Sequence, residues 1–90
     1  MADYTITLTD ADAAELDGDQ NKKVCWTNNS GSEISLNPPA GVTPNQTTVI
    51  ANGATSRDFQ ITGQKGLTYD YTFMVGAEVG TRNGKIRVNT

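Results

Sequence analysis

Residues 67–75 read LTYDYTFMV, and after a glycine-bearing loop residues 84–89 read GKIRVN. Leu67, Tyr69, Tyr71, Phe73 and Val75 fall on every second position of the first stretch, and Ile86 and Val88 do the same in the second. A period of two places these side chains on one face of a strand, so the segment reads as strand, loop, strand. Small β proteins often put their chemistry in a loop held this way. This loop carries no His and no Cys.

The same period recurs along the chain. In DYTITLT, Tyr4, Ile6 and Leu8 alternate with threonines, and in KKVCWTNN, Val24 and Trp26 share a face opposite Cys25 and Thr27. NNSGS is a turn signal, followed by EISL with Ile34 and Leu36 paired. TTVIA and SRDFQI flank NGAT, and Phe59 and Ile61 alternate in the second of these. The stretch NPPAGVTPNQ holds all three prolines and is read as irregular. Residues 10–22 are read as an acidic connector, with Ala11, Ala13, Ala14 and Leu16 on one helical turn. Seven short strands separated by turn signals, with no helix of ten residues, predict an antiparallel all-β sandwich or barrel.

Ninety residues make one domain, 1–90, with little material beyond a single core. Net charge is −3, which argues against a nucleic-acid binder. Five of the ten acidic groups, Asp10, Asp12, Glu15, Asp17 and Asp19, lie in residues 10–19. They lack the order of an EF-hand loop, so the segment reads as a solvated connector; calcium binding is the competing reading. No apolar run approaches the roughly 18 residues of a membrane span. The start, MADYTITL, lacks the basic and apolar regions of a signal peptide.

The absence of His removes Ser-His-Asp and Cys-His catalysis and imidazole base chemistry near neutral pH. The single cysteine leaves no intrachain disulfide and no closed thiolate site. Cys25 is read as a small, half-exposed residue, and Trp26 as core. Tyr69 and Tyr71 face inward by alternation, with hydroxyls expected to find partners at the sandwich edge. GQKG sits at no strand-to-helix junction, so it supports no phosphate cradle. No apolar setting is visible around paired carboxylates, and the chain is expected not to be an enzyme.

Three stretches, KVCWTNNSGSEISL, FQITGQKGLTYDYTF and YTFMVGAEVGTRNGKIRV, resemble the cupredoxins, small Greek-key β-sandwiches of the plastocyanin and pseudoazurin type. An immunoglobulin or fibronectin type III-like sandwich ranks second, since it also pairs a strand Trp with a Tyr-rich late strand. The resemblance implies copper ligands at four places. The first His falls at Glu33 or Ile34, the Cys at Val75, the second His at Glu78 and the Met at Asn83. Blue copper needs a thiolate and two imidazoles, so the framework is kept without its ligands and no cofactor is expected.

The expected role is therefore a non-catalytic, cupredoxin-like binding or structural module. The alternative is a metal-binding (calcium or copper) or electron-transfer protein with an oxygen-ligand site near Glu33 and Glu78. The expected interaction surface is the ligand-loop end, comprising the 28–33 turn, the 37–47 loop and the 76–84 loop. Its candidate residues are Asn29, Ser30, Glu33, Glu78, Arg82 and Asn83. Arg82, Lys85 and Arg87 read as a modest basic patch of ordinary solvated charge; contact with an acidic partner, such as another copy's 10–19 segment, is the competing reading. A protein partner is expected rather than nucleic acid, and the resemblance implies an extracytoplasmic setting.

Overall fold

The computed structural model describes residues 2–77 and 80–90. Nine strands form among them: β1 (Tyr4–Leu8), β2 (Leu16–Gly18), β3 (Lys23–Asn28), β4 (Ile34–Asn37), β5 (Val42–Thr43), β6 (Thr48–Ile50), β7 (Phe59–Ile61), β8 (Thr68–Val75) and β9 (Arg82–Val88). Seven of these match the strands read from alternation; β2 and β5 are additional. They build two sheets, a four-stranded one in the order β1-β3-β7-β5 and a five-stranded one in the order β2-β9-β8-β4-β6. Among the described residues no helix is long and apolar enough to cross a membrane.

The segment expected to make a helical turn, Ala11 to Leu16, has no helix and leads into a strand instead. β2 runs parallel to β9, with Leu16 opposite Ile86 and Gly18 opposite Val88. Leu16 gains a neighbour on the core that a solvated helical turn would not provide, and Gly18 lets Ile61 and the Tyr4 ring approach where a Cβ would stand. The proline-rich stretch also contains a strand. Val42 and Thr43 lie between Pro39 and Pro44, keep their N–H groups, and pair with Ile61 and Gln60.

The core follows the alternation. Val24, Trp26, Phe59, Ile61, Phe73, Ile86 and Val88 are all fully buried. Trp26 joins the sheets: its ring meets Phe59 edge-on at 5.1 Å and Tyr71, from the opposite sheet, at 5.5 Å. Such edge-to-face pairs add about 0.5–1.5 kcal/mol beyond the area they bury. Cys25 lies on the other face of β3, yet it is only 5% exposed and sits 3.5 Å from the Thr5 hydroxyl. The half-exposed reading fails because β1 packs its threonines alongside.

The two tyrosines of β8 behave differently. Tyr69 Oη accepts the Gln64 N–H at 2.9 Å, five residues upstream, as in the tyrosine corner of β-sandwiches. Its ring lies against the backbone of Gly41 and Gly63, where an added Cβ would come within 2.6 Å and 2.5 Å of ring carbons. Tyr71, in contrast, has a buried hydroxyl without a partner among the described residues, as has the Trp26 indole N–H. Burial raises the Tyr71 pKa above 10.0, and the facing indole N–H offsets part of the rise without reaching hydrogen-bond geometry.

Candidate functional site

The strand registers define one end of the sandwich. Ile34 opens β4 opposite Val75, which closes β8, and Ile50 closes β6 at the same level. β1 and β3 end together at Leu8 and Asn28. Segments 9–15, 29–33 and 51–56 and residues 76–77 and 80–81 therefore lie at this end. The 37–47 loop does not join them. It leaves from Asn37, opposite Thr72, and β5 pairs with Gln60, which itself faces Lys23 at the start of β3. Antiparallel pairing of β4 and β6 puts that loop at the opposite end, which corrects the expectation from sequence.

Asn28 organises the end. Its alternation with Val24 and Trp26 turns the side chain inward, and it is fully buried. Nδ2 donates to the Ser32 carbonyl at 2.6 Å and the Ile50 carbonyl at 2.9 Å. Oδ1 accepts the Ser30 N–H at 3.0 Å and the Ser30 hydroxyl at 2.7 Å. One amide thus folds the 29–33 turn and ties it to the end of β6. The signal that it points inward was its spacing of two from Trp26.

The four copper-ligand positions do not form a ligand set. Val75 is 2% exposed and opposite Ile34, itself fully buried, so hydrocarbon fills the place of the thiolate. Glu33 is exposed; its carbonyl accepts the Gly76 N–H at 2.7 Å, which brings the 29–33 turn against the start of the β8–β9 loop. Asn83 lies on the outer face of β9, away from Val75, and its N–H is held by Asp12 Oδ1 at 2.9 Å. Glu78 falls outside the described residues. Cys25 sits buried on β3, beside Thr5 and not at this end. Among the described residues no group of three His, Cys, Asp or Glu is placed to hold a metal. A blue copper ion does not fit these side chains.

Of the expected interaction residues, Asn29 and Glu33 are exposed on one turn, while Ser30 is half-buried and committed to Asn28. Arg82 and Asn83 belong to a second group with the 10–13 segment. Arg82 shares the inner face of β9 with Gly84, Ile86 and Val88, and its Nε donates to the Asp10 carbonyl at 2.5 Å. Lys85 and Arg87 lie on the outer face, in register with Asp70 and Asp17 respectively. The basic patch is therefore split between two faces, because neighbours one residue apart on a strand point oppositely. The acidic segment expected to meet another copy's patch lies beside β9 of its own chain.

The 10–19 segment bends at residues 10–11 and is strand only over Leu16–Gly18. Asp12 holds the Asn83 N–H, and Asp19 accepts the Asn89 side-chain amide at 3.0 Å. Among the described residues these carboxylates form no group of three placed to hold an ion, unlike the converging oxygens of a calcium loop.

No family model matches the chain, and no curated protein sequence matches it. Solved structures do. A methionine-to-alanine variant of amicyanin in its Cu(I) form aligns with a TM-score of 0.62 at 16% identity, covering 96% of this chain and 81% of that one. A proline-to-alanine variant of amicyanin in its oxidized state gives 0.60 at 20% identity, covering 99% and 86%. With the two sheets and their shared Trp26 core, these alignments give the chain the cupredoxin fold.

Proposed function

We propose that this chain is a non-catalytic, copper-free module of cupredoxin fold that acts by binding a protein partner or as a structural domain. The observation that carries the reading is Val75: the position that would need a thiolate is a buried hydrocarbon facing Ile34. No imidazole exists anywhere in the sequence to compensate. The end loops are held by a rigid frame through Asn28, which suits a surface that presents rather than reacts. An extracytoplasmic setting belongs to the same reading. Cu(II) titration with visible absorption and native mass spectrometry tests it. The expected result is no intense thiolate-to-copper band and no stoichiometric complex. One tightly bound copper per chain would overturn it in favour of an oxygen-ligand site.

A further inference from the structure

A cleft of about 230 Å³ opens on the side of the sandwich, lined by Thr5, Ile6, Thr7, Ala14, Glu15 and Leu16. It lies between β1 and the segment leading into β2. β1 is an edge: β3 pairs with one side of it and, among the described residues, no strand pairs with the other. In a parallel pair, alternate residues turn their backbone groups to the same side. The Leu8 carbonyl accepts the Asn29 N–H at 2.8 Å, so Leu8, Ile6 and Tyr4 face β3. The N–H and C=O groups of Thr5 and Thr7 consequently face the cleft. Its floor is apolar, from Ile6 at 7% exposure and half-buried Leu16. Its rim is acidic: Glu15 lines it, and Asp10, Asp12, Asp17 and Asp19 are exposed along the same segment.

We propose that the free edge of β1 and this cleft form a docking groove for an extended cationic peptide segment of a partner protein. The peptide adds as a strand beside Thr5 and Thr7, places one apolar side chain over Ile6 and Leu16, and directs flanking Lys or Arg side chains to Glu15 and its acidic neighbours. Strand addition supplies affinity through main-chain bonds, and alternate side chains supply selectivity. Charge selects this occupant over a second copy, because pairing β1 with itself would bring two 10–19 segments of like charge together. The proposal rests on the reading of the chain as a binding module and moves the contact from the loop end to the side of the sandwich.

The test is a titration of the ¹⁵N-labelled chain with an acetylated, amidated peptide of alternating Lys and Thr around a central Val. Binding is expected to saturate, with amide shifts centred on residues 5–7 and 14–16 and slowed exchange of the Thr5 and Thr7 amides. The same peptide N-methylated along its pairing edge should bind about tenfold more weakly, the worth of one or two backbone hydrogen bonds. Thr7→Pro removes an N–H that faces the cleft rather than β3, and should weaken binding similarly with the fold intact. Glu15→Gln should weaken it and flatten its salt dependence. Equal binding of the N-methylated peptide overturns the groove, as does the absence of saturation or a response that skips Thr5 and Thr7. Concentration-dependent self-association through β1 overturns it in favour of a second copy. Should Thr7→Pro fail to fold, the peptide comparison decides alone. Failure here leaves the copper titration untouched, and copper uptake would defeat the module reading whatever the peptide does.

Discussion

Asp12 Oδ1 accepts the Asn83 N–H at 2.9 Å, and the Asn83 carbonyl accepts the Ala13 N–H at 2.8 Å. These two bonds clasp the acidic segment to the start of β9, next to the Arg82 contact with the Asp10 carbonyl. They turn what reads as a connector into the outer edge of a sheet. Asp12→Ala should cost about 1 kcal/mol, the net worth of one such bond. Asp12→Asn keeps an acceptor and should recover most of that loss. Urea denaturation followed by circular dichroism compares the two; equal losses would mean the side chain does not hold the segment.

Asn28→Ala removes two buried donors and strips partners from the Ser32 and Ile50 carbonyls. A loss of about 2–3 kcal/mol is expected, since the Ile50 carbonyl loses a buried donor and the Ser30 contacts to Oδ1 go with it, while the Ser32 carbonyl keeps the Ser30 hydroxyl at 2.9 Å. Asn28→Asp should be worse, because it turns carboxylate oxygens toward those carbonyls in a buried site. Amide shifts should change in segments 29–33 and 51–54 and hardly at all in 37–47. Large shifts in the latter would contradict its position at the opposite end.

Tyr71→Phe deletes a hydroxyl that is buried without a partner. The variant should be as stable as the parent or more stable by about 1 kcal/mol, because a desolvation cost disappears. The effect should grow with pH. The folded-state pKa of Tyr71 is raised by burial, so above pH 10.0 the unfolded chain releases a proton that the folded chain keeps. Parental stability is therefore unaffected by this group below that pH and falls as pH rises from there toward the folded-state pKa. Parent-minus-variant denaturation curves at neutral and at high pH isolate the contribution. A destabilised variant at neutral pH would reveal a partner for the hydroxyl.

Gly84→Ala should be among the most damaging small changes, since its Cβ would fall 2.1 Å from Cζ of the Tyr71 ring. Overpacking of this kind commonly costs about 1–3 kcal/mol. Combining it with Tyr71→Leu should recover part of the loss by emptying that space, so the double mutant should be more stable than the sum of the single changes predicts. Additive losses in thermal denaturation would show that the Gly84 backbone, rather than the ring contact, sets the requirement.

Alternation made most of the fold legible. Every second residue from Leu67 to Val75, and the pairs Val24–Trp26, Ile34–Leu36, Phe59–Ile61 and Ile86–Val88, named strands that formed and placed side chains in the core, Leu67 excepted at 46% exposure. The absence of imidazole was legible too, because a chain without His shows it in composition alone. β2 was not, since its residues lack a local strand period and are held extended by β9, some seventy positions later in the chain. β5 was masked by the flanking prolines, which obscured two residues that carry N–H groups and pair with β7.

The sequence by itself determined the strands of strong alternation, the apolar set they bury and the lack of a blue-copper donor set. Those depend on side-chain type and a period of two. The tertiary structure alone decided which loops share an end, that Arg82 turns from Lys85 and Arg87, that Asn28 lies at the hub of one end, and that β1 keeps an open edge beside Glu15. Register and strand order decide such things, and both are set by contacts between residues far apart in the chain, where a one-position shift reverses every side chain.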